Sequence, residues 1–209
     1  MKTISAVSLL VLALLAPLGA AEFTTESAGP APDSVSEALR AAVVDDGVRL
    51  KAGDTVVAEF WMRNSAFEGE GVSELGVRND FIPLGAFMGV VHFPENGHDF
   101  RDQLIPAGVY TMRFYLQPVD GNHYEPVRDF TLLSPPANDA DPAKNVDDYD
   151  TLIDMSYEVG NPHPTIMHMA WSEGDEAPNL WQNDYGHWVL DLMVGEEPIG
   201  FVVDGHAEE

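Results

Sequence analysis

The alternation of apolar and polar residues is most regular over residues 109–119. The apolar positions there are Tyr110, Met112, Phe114 and Leu116, and the positions between them are Thr111, Arg113, Tyr115 and Gln117. An apolar residue at every second position is typical of a β-strand with one face in the core and the other in water. The sequence therefore predicts a half-buried strand, and residues 106–108 (Pro-Ala-Gly) predict a corner before it.

A second strand is predicted over residues 128–133, after a turn at Asp120, Gly121 and Asn122. Asp-Gly between two strand patterns indicates a hairpin. The connection as far as Pro126 is longer than a two-residue turn, so we expect a bulge or a short excursion within it.

Similar short apolar patterns, separated by turn residues, occur along the rest of the chain. They predict strands over residues 48–51, 55–63, 84–93, 166–171, 187–194 and 199–203, with a further candidate over 75–77. Two short helices are predicted, over about residues 35–43 and from Tyr149 to Ser156. These elements predict a mostly β fold: a single-domain β-sandwich of immunoglobulin-like or cupredoxin-like type, with a jelly roll as the alternative.

The first 21 residues have the order of a secretory signal peptide: Lys2, an apolar run over about residues 7–15, and small residues up to Ala21. The run is shorter than the roughly 20 apolar residues of a transmembrane helix, which favours a cleaved leader over a membrane anchor. The predicted organisation is a signal peptide (1–21), a flexible lead-in (22–33), a β-sandwich domain (34–205) and a polar tail (206–209). We expect a secreted or periplasmic protein with no membrane anchor after cleavage.

The chain is strongly acidic, with 35 Asp and Glu residues against 10 Lys and Arg and a formal net charge of −25. Such a charge argues against nucleic acid and anionic membrane surfaces as partners, because both are bound through basic patches. It suits a soluble protein that repels its neighbours, a cation binder, or a protein that works at high salt. Since the chain has no cysteine, disulfides are excluded, and stability has to come from core packing or a bound metal.

Three histidines, His98, His123 and His187, lie in or beside loops at predicted strand ends, and Asp99 and Asp120 lie close to two of them in the chain. Imidazole ligands supported by a carboxylate are typical of Zn²⁺ and Cu²⁺ sites. The sequence therefore suggests a divalent-metal site built from these five residues, although no spacing matches a zinc signature such as H-E-x-x-H. The alternative is that the histidines are unrelated turn residues that hydrogen-bond to backbone.

Two further patterns could indicate metal sites, but a role without metal is favoured for each. Met167, His168 and Met169 offer copper ligands, with His163 upstream, but on a strand the two methionines share one face and the histidine points to the other. A core role for the methionines is therefore favoured. The acidic stretch 138–150 fails as an EF-hand, because alanine and lysine fall where a ligand and a glycine are needed.

Enzyme signatures are missing from the sequence: it has no G-x-S-x-G, no P-loop, no G-x-G-x-x-G and no cysteine nucleophile. A hydrolase that uses a carboxylate pair, such as Asp99 with Asp120 or Glu125, stays open as one alternative. Another is a carbohydrate- or protein-recognition module that uses exposed aromatic residues. Its candidates are Trp61, Tyr115, Trp181 and Trp188, which are otherwise interpreted as core residues. An exported binding or structural module is favoured over an enzyme.

Residues 100–135 read FRDQLIPAGVYTMRFYLQPVDGNHYEPVRDFTLLSP, and HWVLDLMV follows near the end of the chain. The first run resembles the pattern F-R-x-Q-x-I-x-x-G-V-Y-T-x-R-x-x-L-Q-P-x-D-G-N-H, followed by R-D-F-x-L-L, of a group of uncharacterised secreted bacterial proteins. The resemblance is dense in the middle of the chain and thin elsewhere. It implies export and a β-rich single domain, and it transfers no catalytic residue.

Overall fold

A computed structural model describes residues 22–100, 102–117, 128–159 and 163–205 of the chain. The strands are β1 (Phe23–Gly29), β2 (Gly47–Ala52), β3 (Thr55–Met62), β4 (Phe87–Phe93), β5 (Gly97–His98), β6 (Leu104–Ile105), β7 (Gly108–Leu116), β8 (Asp129–Ser134), β9 (Ile166–Ala170), β10 (Asn179–Gln182), β11 (Trp188–Val194) and β12 (Glu197–Asp204). The helices are α1 (Glu37–Ala41) and α2 (Tyr149–Tyr157), with one 3₁₀ turn at Pro136–Asn138. The prediction of a mostly β fold with two short helices is confirmed.

Several predictions fall outside these ranges. The signal peptide (1–21), the turn at residues 120–122 and the tail (206–209) are not among the described residues. Within the ranges that are described, no helix has the length and apolar character that a membrane crossing requires.

In the described part of the chain, ten strands form one antiparallel sheet in the order β1-β2-β3-β4-β7-β8-β9-β12-β11-β10. The two edge strands approach one another, and the ring of Phe23 in β1 lies 5.4 Å from that of Trp188 at the start of β11. The sheet therefore curls until it nearly closes into a barrel. A sandwich or jelly roll is not confirmed, because hydrogen bonds link these strands into one continuous ladder and not into two separate facing sheets.

The stretch predicted as a flexible lead-in, residues 22–33, contains β1, which pairs with β2 from Phe23–Ala52 to Gly29–Gly47. Its side chains are mostly exposed or half-buried, so its sequence lacks the apolar alternation that identifies a strand. For the same reason β10 was not predicted within the acidic stretch 173–184. The candidate strand at 75–77 is a turn in the structure.

The interior of the curled sheet is filled by alternate side chains of nearly every strand. The four apolar residues predicted for the inner face of β7, Tyr110, Met112, Phe114 and Leu116, all belong to this core, together with residues such as Phe60, Met169 and Phe201. That part of the prediction is confirmed. The antiparallel pairing of β7 with β8 is confirmed as well.

The outer face of β7 is buried too, which differs from the half-buried strand that the pattern predicts. Tyr115 packs in a second apolar cluster with Phe130, Leu132, Leu152 and Ile166, which lies beneath α2. A third cluster, beneath α1, contains Val35, Leu39, Val43, Trp61, Phe87 and Val90. The two helices therefore cover part of the outer surface of the sheet.

Arg113 is the charged residue of this covered face, and its side chain is only 2% exposed. Its Nε and Nη2 donate to the two carboxylate oxygens of Asp139, at 2.9 and 2.6 Å. The remaining donors bond to the carbonyl oxygens of Gly85, Lys144 and Asp141. All five guanidinium N–H groups thus have acceptors, which is the condition under which a buried arginine is tolerated.

Gly85 lies where this network meets the sheet. Its carbonyl accepts hydrogen bonds from Arg113 and from the backbone N–H of Val146, while its own N–H donates to Phe114. Its φ is +68°, and a Cβ there would collide with the carbonyl oxygen of Val146. Only glycine at position 85 allows the chain around Val146 to come this close to the sheet beside β7.

One end of the curled sheet is closed by the connection between β3 and β4. Asp129, fully buried at the start of β8, accepts hydrogen bonds from the backbone N–H groups of Arg78 and Asn79 and from the Asn79 side chain. Ile82 of the same connection is buried in the core. A cavity lined in part by Phe93 lies towards the other end, where β4 ends.

A ladder of charged side chains crosses β1 to β4 on the outside of the sheet. Glu59 accepts from Arg49 Nε at 2.7 Å, and its other oxygen lies 2.8 Å from His92 Nδ1. Arg49 also pairs with Glu26, at 3.1 Å. Burial on its own would raise the pKa of Glu59, but the hydrogen bonds with His92 and Arg49 outweigh it, so that the pKa lies below its ordinary value.

Replacing Arg113 with alanine should destabilise the fold by about 3–5 kcal/mol, because it leaves the Asp139 carboxylate buried without its counter-charge. Urea unfolding followed by fluorescence measures this change. Lys51→Gln is the control: Lys51 lies 3.8 Å from Glu26 on the surface, and its loss should change the free energy of unfolding by less than about 0.5 kcal/mol. A cost below about 1 kcal/mol for Arg113→Ala would contradict the role given to the network.

Replacing Glu59 with glutamine should weaken the acid dependence of stability. Because the folded-state pKa of Glu59 is lowered, its contribution is complete above the ordinary value of 4.5 and is lost as the pH falls through the lower, folded-state value. Glu59→Gln should therefore cost about 1 kcal/mol at pH 7 and progressively less towards pH 3. Urea midpoints at several pH values test this, with exposed Glu70→Gln as the control. A cost that does not change with pH would refute the assignment.

Candidate functional site

A cavity of about 360 Å³ lies at the end of the sheet opposite Asp129. Apolar and polar side chains line it: Phe23, Leu50, Val57, Ala58, Phe60, Phe93, His98, Asp99, Phe100, Asp102, Ile105, Ile166, Met167, His168, Val202, Val203 and Asp204, together with Gly97 and Gly205. The wall is mostly hydrophobic, and the acidic and imidazole groups come from the hairpin tip, from β9 and from the end of β12. We call this space the mouth cavity.

The mouth cavity opens where β9 and β12 separate. In the described residues these strands pair at two positions, Ala170 with Gly200 and Met169 with Phe201. Beyond these pairs, residues 166–168 lie on one side of the cavity and residues 202–205 on the other. A ladder that stops early leaves a gap in the wall of the sheet, and this gap connects the interior with the surface.

A small hairpin formed by β5 and β6 contributes the other side of the mouth. Ile105 of β6 is buried in the main core. At the base, Asn96 accepts a hydrogen bond from the backbone N–H of Ala107, and the hydroxyl of Tyr110 donates to the carbonyl of Pro106 at 2.7 Å. Burial raises the pKa of Tyr110, which keeps the phenol protonated as a donor. The base of the hairpin is therefore fixed to the sheet.

The tip of the hairpin is held by Asp99, which is 7% exposed. Asp99 exchanges backbone and side-chain hydrogen bonds with Gln103: its N–H donates to the Gln103 carbonyl, and its carboxylate accepts from the Gln103 N–H. Asp102 completes the turn with φ of 63°, a left-handed conformation that aspartate tolerates better than most residues. These bonds place His98, Phe100 and Asp102 against the cavity.

Phe100 reaches from the hairpin to the strands on the far side of the mouth. Its ring stacks on His168 of β9, with centroids 4.8 Å apart and planes 20° apart, and it meets His187 edge-on at 5.0 Å. His168 in turn contacts Phe130 edge-on. Phe100 therefore bridges the gap between β9 and the end of β12. At that end Gly205 lies against the His187 ring, and a Cβ added to Gly205 would be 2.7 Å from the ring.

The structure brings together some of the residues predicted to bind metal. His98 and Asp99 line the mouth cavity, and His187 lies beside Phe100 at its edge. Among the described residues, no three histidine, aspartate or glutamate side chains are placed to hold a metal ion. His123 and Asp120 lie outside the described residues, and so does Glu125, so the metal site and the carboxylate pair stay predictions.

The structure also describes most of the residues named in the other two metal hypotheses. Met167 and Met169 both belong to the core, with His168 on the opposite face of β9, as the strand pattern predicts. Of the acidic stretch 138–150, Asp139 pairs with Arg113 and Asp148 caps α2 by accepting from the N–H of Thr151. These two carboxylates have structural partners.

The four aromatic residues considered for a recognition surface are not exposed platforms. Trp61 and Tyr115 are buried, Trp181 donates to the buried Asp191, and Trp188 packs against Phe23. The exposed aromatic rings include instead Trp171 (58% exposed) and Tyr185 (77%), neither of which the sequence singled out.

Phe100, His168 and the end of β12 are the site residues that sequence reasoning missed. Phe100 is a single apolar residue in a polar loop, and His168 was considered only as a copper ligand. The one available signal was the group Gly97-His98-Asp99-Phe100 between two strong strands, because loops at strand ends commonly carry binding residues.

Comparisons with known proteins add nothing to this geometry. No family model, no curated protein and no solved structure matches the chain. The resemblance to secreted bacterial β-rich proteins therefore stays a prediction, and the case for a function depends on the mouth cavity.

Proposed function

We propose that this protein is an exported binding module that takes one small, mostly apolar molecule into the mouth cavity. The observation that carries the proposal is a hollow of about 360 Å³ between the separated strands β9 and β12 and the β5–β6 hairpin. Its size falls in the range of about 300–1,000 Å³ that is usual for small-molecule sites.

The chemistry of the wall supports the same conclusion. Leu50, Phe60, Met167 and Val203 present apolar surface, while polar groups come from a few positions at the rim. A mostly hydrophobic pocket with a few polar groups that fix orientation is the usual composition of a ligand site, and the mouth of a β-barrel is one of its usual places.

The asymmetry of the fold also supports binding at this end. The opposite end is closed by the connection that Asp129 holds, whereas the mouth is covered by a two-stranded hairpin fixed at its base. Export, to the periplasm or the medium, is part of the proposal and is supported by the character of residues 1–21.

Filling the cavity should weaken binding. A neutral, polarity-sensitive dye such as N-phenyl-1-naphthylamine should bind the native protein with enhanced fluorescence, and Val203→Phe should weaken that binding by about tenfold or more, because the new ring occupies the hollow. Fluorescence titration measures both affinities.

Met193→Phe is the matched control, since it adds an aromatic ring to the exposed outer face of β11. It should leave dye affinity unchanged, and circular dichroism should confirm that both variants fold. Equal affinity of the native protein and Val203→Phe would refute the mouth cavity as the binding site.

A further inference from the structure

A second, smaller cavity of about 150 Å³ shares no lining residue with the mouth cavity. Its walls come from the C-cap of α1, the connection after β3, the start of β4 and the segment before α2: Ala42, Arg63, Ser65, Glu68, Phe87, Pro142, Ala143 and Asn145. Since a hollow of roughly 15 Å³ already holds a water molecule, this one has room for a small ion. We call it the arginine cavity.

Arg63 is the buried cation of this cavity, and it is only 8% exposed. Its Nε and Nη2 donate to the carbonyls of Ser65 and Ala66 and to the Ser65 hydroxyl. Its Nη1 donates to the carbonyl of Phe87 at 3.1 Å. The second N–H of Nη1 has no acceptor among the described residues. All the acceptors of Arg63 are therefore neutral.

The lack of a counter-charge distinguishes Arg63 from most arginines of the described chain. Four of them lie 2.6–3.7 Å from a carboxylate oxygen: Arg40, Arg49, Arg113 and Arg128. Arg63 forms no such pair with a described residue. Arg78 also lacks one, but it is only half-buried and lines neither cavity. Removing a charge from water is costly unless an opposite charge compensates it.

The charges near Arg63 do not supply this compensation. Burial lowers the pKa of Arg63, the carboxylate of Glu68 raises it, and the positive charge of Arg113 lowers it further. Arg113 is already matched by Asp139. Glu68 lines the arginine cavity, but it is exposed, so water screens its charge. One buried positive charge is therefore left without a close partner.

Two neutral side chains supply further donors at the same cavity. Ser65 Oγ accepts from Arg63 Nη2, so its own proton remains available. Asn145 Nδ2 uses one N–H on the carbonyl of Glu68, at 2.8 Å, and carries a second N–H. Donors from the β3–β4 connection and from the segment before α2 thus line one hollow beside a guanidinium group, which is the chemistry that binds an anion.

We propose that the arginine cavity binds one small monovalent anion, which compensates the charge of Arg63. The anion is monovalent because one positive charge is uncompensated. This inference is independent of the mouth cavity and goes beyond the proposed binding function. It means that the stability of this strongly acidic protein depends on which anion is present, and not only on ionic strength.

Thermal unfolding of the native protein tests the proposal, at constant sodium concentration and ionic strength, with bulky gluconate exchanged stepwise for chloride. A ligand that binds only the folded state raises the unfolding midpoint in a saturable manner. We expect a rise of about 3 °C or more in chloride. An unchanged midpoint would overturn the proposal, because Glu68 or water would then be sufficient for Arg63.

Two variants assign the effect to the cavity. Arg63→Gln removes the charge and should abolish the difference between the two salts. Ser65→Ala removes one donor and should lower the chloride affinity by about threefold or more. Because Arg63→Gln also breaks the hydrogen bonds to residues 65, 66 and 87, Ser65→Ala carries the test if that variant does not fold.

Lys51→Gln is the matched control, since it removes one positive charge from β2, outside the arginine cavity. It should preserve the full chloride effect. An effect of the same size in all three variants would overturn the site, because the anion would then act elsewhere on the protein.

A crystal grown in sodium bromide locates the anion directly. We expect an anomalous bromide peak in the arginine cavity, beside Arg63 Nη1 and Ser65 Oγ. Bromide at other positions only, with none in this cavity, would overturn the proposal.

Discussion

The fold depends on a buried arginine that has every donor satisfied. β7 runs through the middle of the sheet and is covered on both faces, so any charged side chain on it must find its partners inside the protein. Arg113 does so through Asp139 and three backbone carbonyls. Those partners belong to two segments that are distant in sequence: Gly85 precedes β4, and the other partners precede α2. The Arg113 side chain therefore holds both segments against the outer face of β7. The segments that cover the outer face of β7 are thereby held in a single arrangement.

The mouth cavity lies beside a short ladder of the sheet. The interior of a curled sheet widens with the number of strands, and alternate side chains fill it. Here the β9–β12 ladder is short, and the β5–β6 hairpin crosses to the open side with Phe100 at its tip. The hollow therefore depends on how the strands are arranged. Its polar groups come from three separate segments: the β5–β6 hairpin, β9 and the end of β12.

The parts of this structure that a sequence can reveal are those set by local periodicity. The inner face of β7 was predictable because Tyr110, Met112, Phe114 and Leu116 repeat with the period of a strand. The burial of Arg113 was not, because its partner Asp139 lies 26 positions away in a stretch that resembles a solvated acidic loop. β1 escaped prediction since an exposed edge strand needs little apolar sequence. His98 and Asp99 were identified as site residues, but for metal chemistry. Their place in an apolar cavity depends on the register of β9 against β12, which no local pattern encodes.

The ring contacts of Phe100 have a kinetic consequence for the proposed binding function. Phe100 lines the mouth cavity, and its ring stacks on His168 and meets His187 edge-on. A ligand that entered beside the short β9–β12 ladder would pass this ring, so the rate of its exchange would depend on how often the ring moves.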